Sequence, residues 1–112
     1  MSENCIFCKI VNGSITSNKI YEDEDVIVFN DIYPKAKIHF LIVPKLHIES
    51  LATCEAQHQS LLGKMLLLAP RLAKELGLTG FRTIVNTGRD GGQEVFHIHL
   101  HLLGGSNNLP GF

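Results

Sequence analysis

Residues His97-Ile98-His99-Leu100-His101-Leu102-Leu103 place three of the six histidines on alternate positions, with an aliphatic residue in every gap. In a strand, successive side chains point to opposite faces, so His97, His99 and His101 share one face and Ile98, Leu100 and Leu102 the other. Neighbouring imidazoles then stand roughly 6 to 7 Å apart, within reach of one small anion or of a metal ion. Imidazole serves as nucleophile, acid or base near neutral pH, which suits a row of them to phosphoryl chemistry. One ring attacks phosphorus while a second holds the phosphate oxygens or donates to the leaving group. Gly91-Gly92, just upstream, lets backbone N–H groups approach such an anion closely.

Cys5-Ile6-Phe7-Cys8 is the other constellation with chemistry in it. Two thiolates at this spacing, with any two histidines, make a tetrahedral zinc site; a redox pair is the rival reading, but no βαβ pattern surrounds it. The third cysteine, Cys54, has no partner at motif spacing. His39 interrupts an otherwise apolar run, Ile38 to Val43, and a histidine buried there needs a hydrogen-bonding partner, which the triple-histidine strand can supply. Asp31, the acid of the preceding loop, is either a turn residue or a group that holds sugar hydroxyls.

The elements that must position these groups follow from periodicity. A short helix spans residues 5–12, ended by Asn12-Gly13. Residues 19–22 and 26–29 read as a hairpin, 38–43 as a strand ended by Pro44, and 80–86 and 97–103 as two more strands around a glycine-rich loop. The long helix runs from about Glu55 to Leu76 with Thr53 as N-cap, Gly77-Leu78 as C-terminal cap, and an apolar face of Leu61, Leu62, Met65, Leu66, Ala69, Leu72, Ala73 and Leu76. Pro70 lies inside it and predicts a kink or a break. The order predicts one α+β domain over residues 1–112, with a five-stranded antiparallel sheet, one long and one short helix, and helix on one face only, so that dimerisation completes its burial. The 45% apolar content and net charge of −1 are those of an ordinary globular domain, without the basic excess of a nucleic-acid polymer binder. Met1-Ser2-Glu3-Asn4 opens no signal-like segment and no run is long enough to span a bilayer, so a cytoplasmic protein is expected.

Taken together, these motifs resemble the HIT (histidine triad) superfamily, whose signature is His-φ-His-φ-His-φ-φ with φ apolar. Cys5-Ile-Phe-Cys-Lys-Ile, Phe29-Asn-Asp-Ile, His39-Phe-Leu-Ile-Val-Pro-Lys and Gly91-Gly-Gln-Glu-Val-Phe-His97 match its Hint branch of nucleoside phosphoramidases in order and spacing, from about Cys5 to Gly105. The resemblance implies a homodimer joining two five-stranded sheets into one of ten strands. It implies a reaction in which His99 attacks the α-phosphorus of a purine nucleoside 5′-phosphoramidate, and water then releases AMP or GMP from the nucleotidyl-histidine. His101 corresponds to the phosphate-contacting, proton-handling histidine and His39 to its support. Asp31 corresponds to the ribose-binding acid, Phe29 and Ile32 to the base pocket, and Asn86, Gln93, Glu94 and Val95 to the phosphate cradle. In zinc-bearing relatives Cys5, Cys8, His47 and His97 correspond to the ligands of a structural zinc, with no catalytic metal required.

The chain departs from the Hint pattern at Tyr33, Lys37 and Ile38, where Ser, Pro and Thr are usual, and at Glu94, where many relatives have Ser. It also carries Pro70, and a short tail without Trp after Gly105. Acyl-nucleotides are a further substrate class the resemblance implies. The alternatives are a dinucleoside polyphosphate hydrolase or nucleotidyl transferase of the same superfamily, and a non-catalytic nucleotide sensor or scaffold.

Overall fold

In the computed structural model, residues 4–106, 109 and 111 are described; the reading of Met1 to Glu3 and most of the tail lie outside them. The strands are β1 (Lys19–Glu22), β2 (Val26–Asn30), β3 (Ile38–Pro44), β4 (Phe81–Ile84) and β5 (Leu100–Gly104), and the helices α1 (Ile6–Val11) and α2 (Gln59–Glu75). They form one antiparallel sheet in the order β1-β2-β3-β5-β4. Alternation sorts the central strands by face. Val26, Val28, Phe40, Ile42, Leu100 and Leu102 pack against Met65, Leu68, Ala69 and Leu72 of α2. The opposite face carries Ile27, Phe29, Leu41 and Val43, which pack against Cys5, Phe7 and Cys8 around α1. Helix therefore covers part of both faces rather than one, because the Cys5–Cys8 turn brings its own buried residues to the second.

The expected glycine cap of α2 is present: Leu78 N–H donates to the Ala73 carbonyl and Gly77 N–H to that of Lys74, with Gly77 at φ 73°. Its beginning differs from expectation. Ser50, not Thr53, is the capping residue of a separate 3-10 turn, Leu51–Thr53, and a second turn, Ala56–His58, precedes the helix at Gln59. Nor does Pro70 divide α2, which stays continuous through it. Pro70 is exposed, so its ring and the orphaned carbonyl one turn back face water instead of the sheet. Leu66 also lies outside, 54% exposed, and Leu68 takes the buried place.

The histidine segment is a regular strand only from Leu100. His97 and His99 precede the ladder in irregular backbone, yet both are buried. Pairing fixes the rest: Leu41 lies opposite His101, and His39 opposite Leu103, so His39 and His101 are diagonal neighbours on the α1 face.

Candidate active site and metal centre

Three tautomers can be assigned from hydrogen-bond partners. The His39 Nδ1 accepts the Lys35 backbone N–H at 3.0 Å, so its proton sits on Nε2, which donates to His101 Nδ1 at 2.9 Å. His101, accepting at Nδ1, is left with an N–H at Nε2. His99 has the opposite arrangement. Its Nδ1 lies 2.8 Å from the His97 carbonyl oxygen, which can only accept, so Nδ1 carries the proton and Nε2 a free lone pair. The two rings stand with centroids 5.0 Å apart. Adjacent imidazoles thus present one acceptor and one donor.

Burial favours the neutral form of each of these rings. Burial pushes His99 down, against the His97 carbonyl and Asp31, and pushes His101 down to about 4, with His99, His39 and Lys35 adding to it against Asp31. His39 is lowered by burial and by Lys35, while Asp31, with Oδ2 at 3.4 Å, pulls it back. A doubly protonated His101 would also set its Nδ1–H against that of His39 Nε2.

His39, His99 and His101 face an open cleft of about 1060 Å³ on the α1 side of the sheet. Phe29, Asp31, Ile32, His39, Asn86, Glu94, Val95, His99 and His101 all line it, as the sequence expectations require. Asp31 is held by its own turn, Oδ1 accepting the Tyr33 N–H at 2.8 Å. Gln93 does not line the cleft. Its side chain braces the loop from behind, accepting from Gly88 N–H and donating to the Glu49 and Val95 carbonyls. The N–H groups of Gly91 and Gly92 are also spent within this loop, on the Gly88 and Arg89 carbonyls, so they do not offer the anion contacts expected of them. The N–H groups of Glu94 and Val95, on the cleft wall, have no acceptor among the described residues. Gly92 serves the loop through its φ of 89°, which an L side chain adopts only under strain.

Two contributors were not anticipated. Phe7, between the two cysteines, meets His99 edge-on at 5.1 Å and Phe29 at 5.5 Å, and lines the cleft. Lys35 acts on His39 through its backbone, which no side-chain pattern reveals.

Behind the triad, Cys5, Cys8, His47 and His97 bring one ligand atom each to within 4.8 Å of the others. The sulfur of Cys5 lies 3.3 Å from His97 Nδ1, that of Cys8 3.2 Å from His47 Nδ1 and 3.6 Å from His97 Nδ1, and the two Nδ1 atoms are 3.1 Å apart. Tetrahedral zinc, with bonds of about 2.0–2.1 Å to nitrogen and 2.3 Å to sulfur, spaces its ligand atoms by about 3.3–3.8 Å. The set therefore fits a tetrahedral metal ion. His97 Nε2–H donates to the Pro44 carbonyl at 2.7 Å, which leaves the Nδ1 lone pair for a metal, and burial pushes this ring down to about 4, keeping it neutral. His97 thus turns away from the cleft, and the three histidines of one row are divided between the cleft and the cysteine–histidine cluster.

Over residues 4–111 the chain matches the family described as DcpS_C, scavenger mRNA decapping enzyme C-term binding. A histidine triad protein from Clostridium difficile superposes with a TM-score of 0.94 at 46% identity, covering 100% of this chain and 98% of that one. The chain belongs to the histidine triad, or HIT, family. Other HIT family relatives include protein HitA of Neisseria gonorrhoeae, 52% identical over 91% of this chain and 96% of HitA. The purine nucleoside phosphoramidase of Escherichia coli strain K12 is 45% identical over 94% of this chain and 90% of the enzyme. The HIT family five-stranded antiparallel sheet expected from the sequence is the fold observed.

Proposed function

We propose that this protein is a purine nucleoside phosphoramidase that works through a covalent nucleotidyl-His99 intermediate. The observation that carries the reading is the pair of opposite tautomers: a bare Nε2 on His99 beside an Nε2–H on His101. The Escherichia coli relative's name supports the substrate class. In the first step the His99 Nε2 lone pair forms a bond to the α-phosphorus as the P–N bond to the amine breaks. The leaving nitrogen takes a proton by way of His101, which solvent in the open cleft restores. Positive charge growing on His99 is eased by the His97 carbonyl, already accepting its Nδ1–H. The N–H groups of Glu94 and Val95, with Asn86, receive the phosphoryl oxygens. Phe7, Phe29 and Ile32 wall the base, and Asp31 meets the ribose. In the second step water attacks phosphorus and His99 leaves with its lone pair. Water's hydroxide ends on the nucleotide and its proton, in net, on the amine.

The cysteine–histidine centre holds zinc in this reading. When bound, zinc ties the Cys5–Cys8 turn to His47 and His97, and so fixes the backbone two residues from the nucleophile. The reducing cytoplasm is the compartment that keeps both thiols available. A homodimer belongs to this reading and is supported by β4, an edge strand with Phe81 exposed, which can pair with a second copy. Among the described residues no helix is long and apolar enough to cross a membrane.

The test is release of AMP from adenosine 5′-phosphoramidate. Wild type should turn over and yield a protein heavier by one adenylyl group on quenching, whereas His99→Gly should do neither. A folded wild type that binds AMP without turnover would replace the enzyme with a sensor.

A further inference from the structure

Among the described residues Lys35 is the only lysine or arginine on the cleft wall, and no ion pair involves it. Its ammonium approaches only the Tyr33 carbonyl, at 3.4 Å. An uncompensated cation beside a phosphoryl-transfer site acts on whichever part of the substrate lies nearest. In-line displacement settles which part that is. The leaving group departs on the side of phosphorus opposite the attacking atom. With His99 attacking, that is the side of the donor, His101. Lys35 belongs to this side: its backbone holds His39 against His101. Its charge bears on His39 and His101 but is not among the influences on His99. Apolar side chains stand beside these rings on the wall. Ile84 pairs with His101 across the ladder, Leu103 is the next residue on the same face, and Tyr33 is 73% exposed at the rim. Of the two carboxylates in the cleft, Asp31 is engaged by Tyr33 N–H and His39, and Glu94 is carried by the separate segment leading into the triad.

We propose that Lys35, with Tyr33, Ile84 and Leu103, forms a leaving-group subsite that recognises a carboxylate, so that the preferred amines are apolar amino acids carrying their free carboxyl group. The inference rests on the phosphoramidase reading. The bond broken is the same P–N bond, and the carboxylate is held but unchanged.

The experiment compares adenosine 5′-phosphoramidates of phenylalanine and of phenylalaninamide, which differ only in that charge. Wild type, Lys35→Met and Lys35→Glu are assayed after confirming that each melts cooperatively. Wild type should favour the acid. Lys35→Met should lower the acid-to-amide ratio of kcat/KM roughly fivefold, Lys35→Glu further, and salt should erode the wild-type preference. A ratio unmoved by both variants, or an equal loss on both substrates, would overturn the subsite and place Lys35 on the shared phosphate or the fold. No turnover of either compound by wild type would instead refute the phosphoramidase reading itself, and this inference with it.

Discussion

The chemistry of the site lies in which nitrogen of each histidine carries a proton. Backbone groups decide it: the Lys35 N–H for His39, and through His39 for His101, and the His97 carbonyl for His99. Burial, with His99, His39 and Lys35 close by, makes His101 titrate abnormally. Its pKa is about 4 in the fold against an ordinary 6.5, so between those values the unfolded chain binds more protons. Stability should therefore fall as pH drops from 6.5 towards 4, and level off below. His101→Gln, which removes this group's share, should flatten the dependence, as urea midpoints at pH 7 and pH 5 will report; an unchanged slope would contradict the assignment. In the sequence, spacing marked His97, His99 and His101 as a set, His39 stood out as the break in an apolar run, and the resemblance joined it to His99 and His101. The sequence could not mark Lys35, whose contribution is a main-chain N–H, or Phe7, whose approach to His99 depends on how α1 docks.

At the scale of elements, burial holds the triad in place. Leu102 is fully buried between His101 and Leu103 and packs under α2. Leu102→Ala should cost about 2–5 kcal/mol in chemical denaturation, through lost transfer energy and a cavity beneath β5. Pro70 is the converse case. Within a continuous helix it removes one hydrogen bond and faces solvent, so Pro70→Ala should stabilise the protein by up to about 3 kcal/mol, read as a higher melting temperature. No change would mean that the helix is already relaxed around the ring. The 3.6-residue pattern found α2 but not its start, because Ser50 and Glu55 each open a single turn with capping boxes of their own. Leu66 and Leu68 were exchanged for a related reason: both fit an apolar stripe, and only the docking angle chooses between them.

For the whole molecule, the candidate metal centre links distant parts, since Cys5 and Cys8 stand near the start of the described chain and His97 near its end. Cys5→Ser should lower zinc content and the melting temperature together, because coordination energy in such a centre is folding energy. Unchanged zinc by elemental analysis would refute the assignment. Light scattering at micromolar concentration should give twice the chain mass of 12.4 kDa, and a monomer would remove the dimer. The sequence by itself determined the strand alternation, the apolar faces and the residue types able to do phosphoryl and metal chemistry. These follow from local period and side-chain identity. The division of His97 to the cysteines and of His99 and His101 to the cleft, which spacing left open and the resemblance implied, has its physical cause in the tertiary structure. The tertiary structure alone decided that the Gly91 and Gly92 N–H groups close a turn while those of Glu94 and Val95 stay free. Both outcomes depend on which carbonyls distant segments bring alongside, and that is a property of packing rather than of spacing.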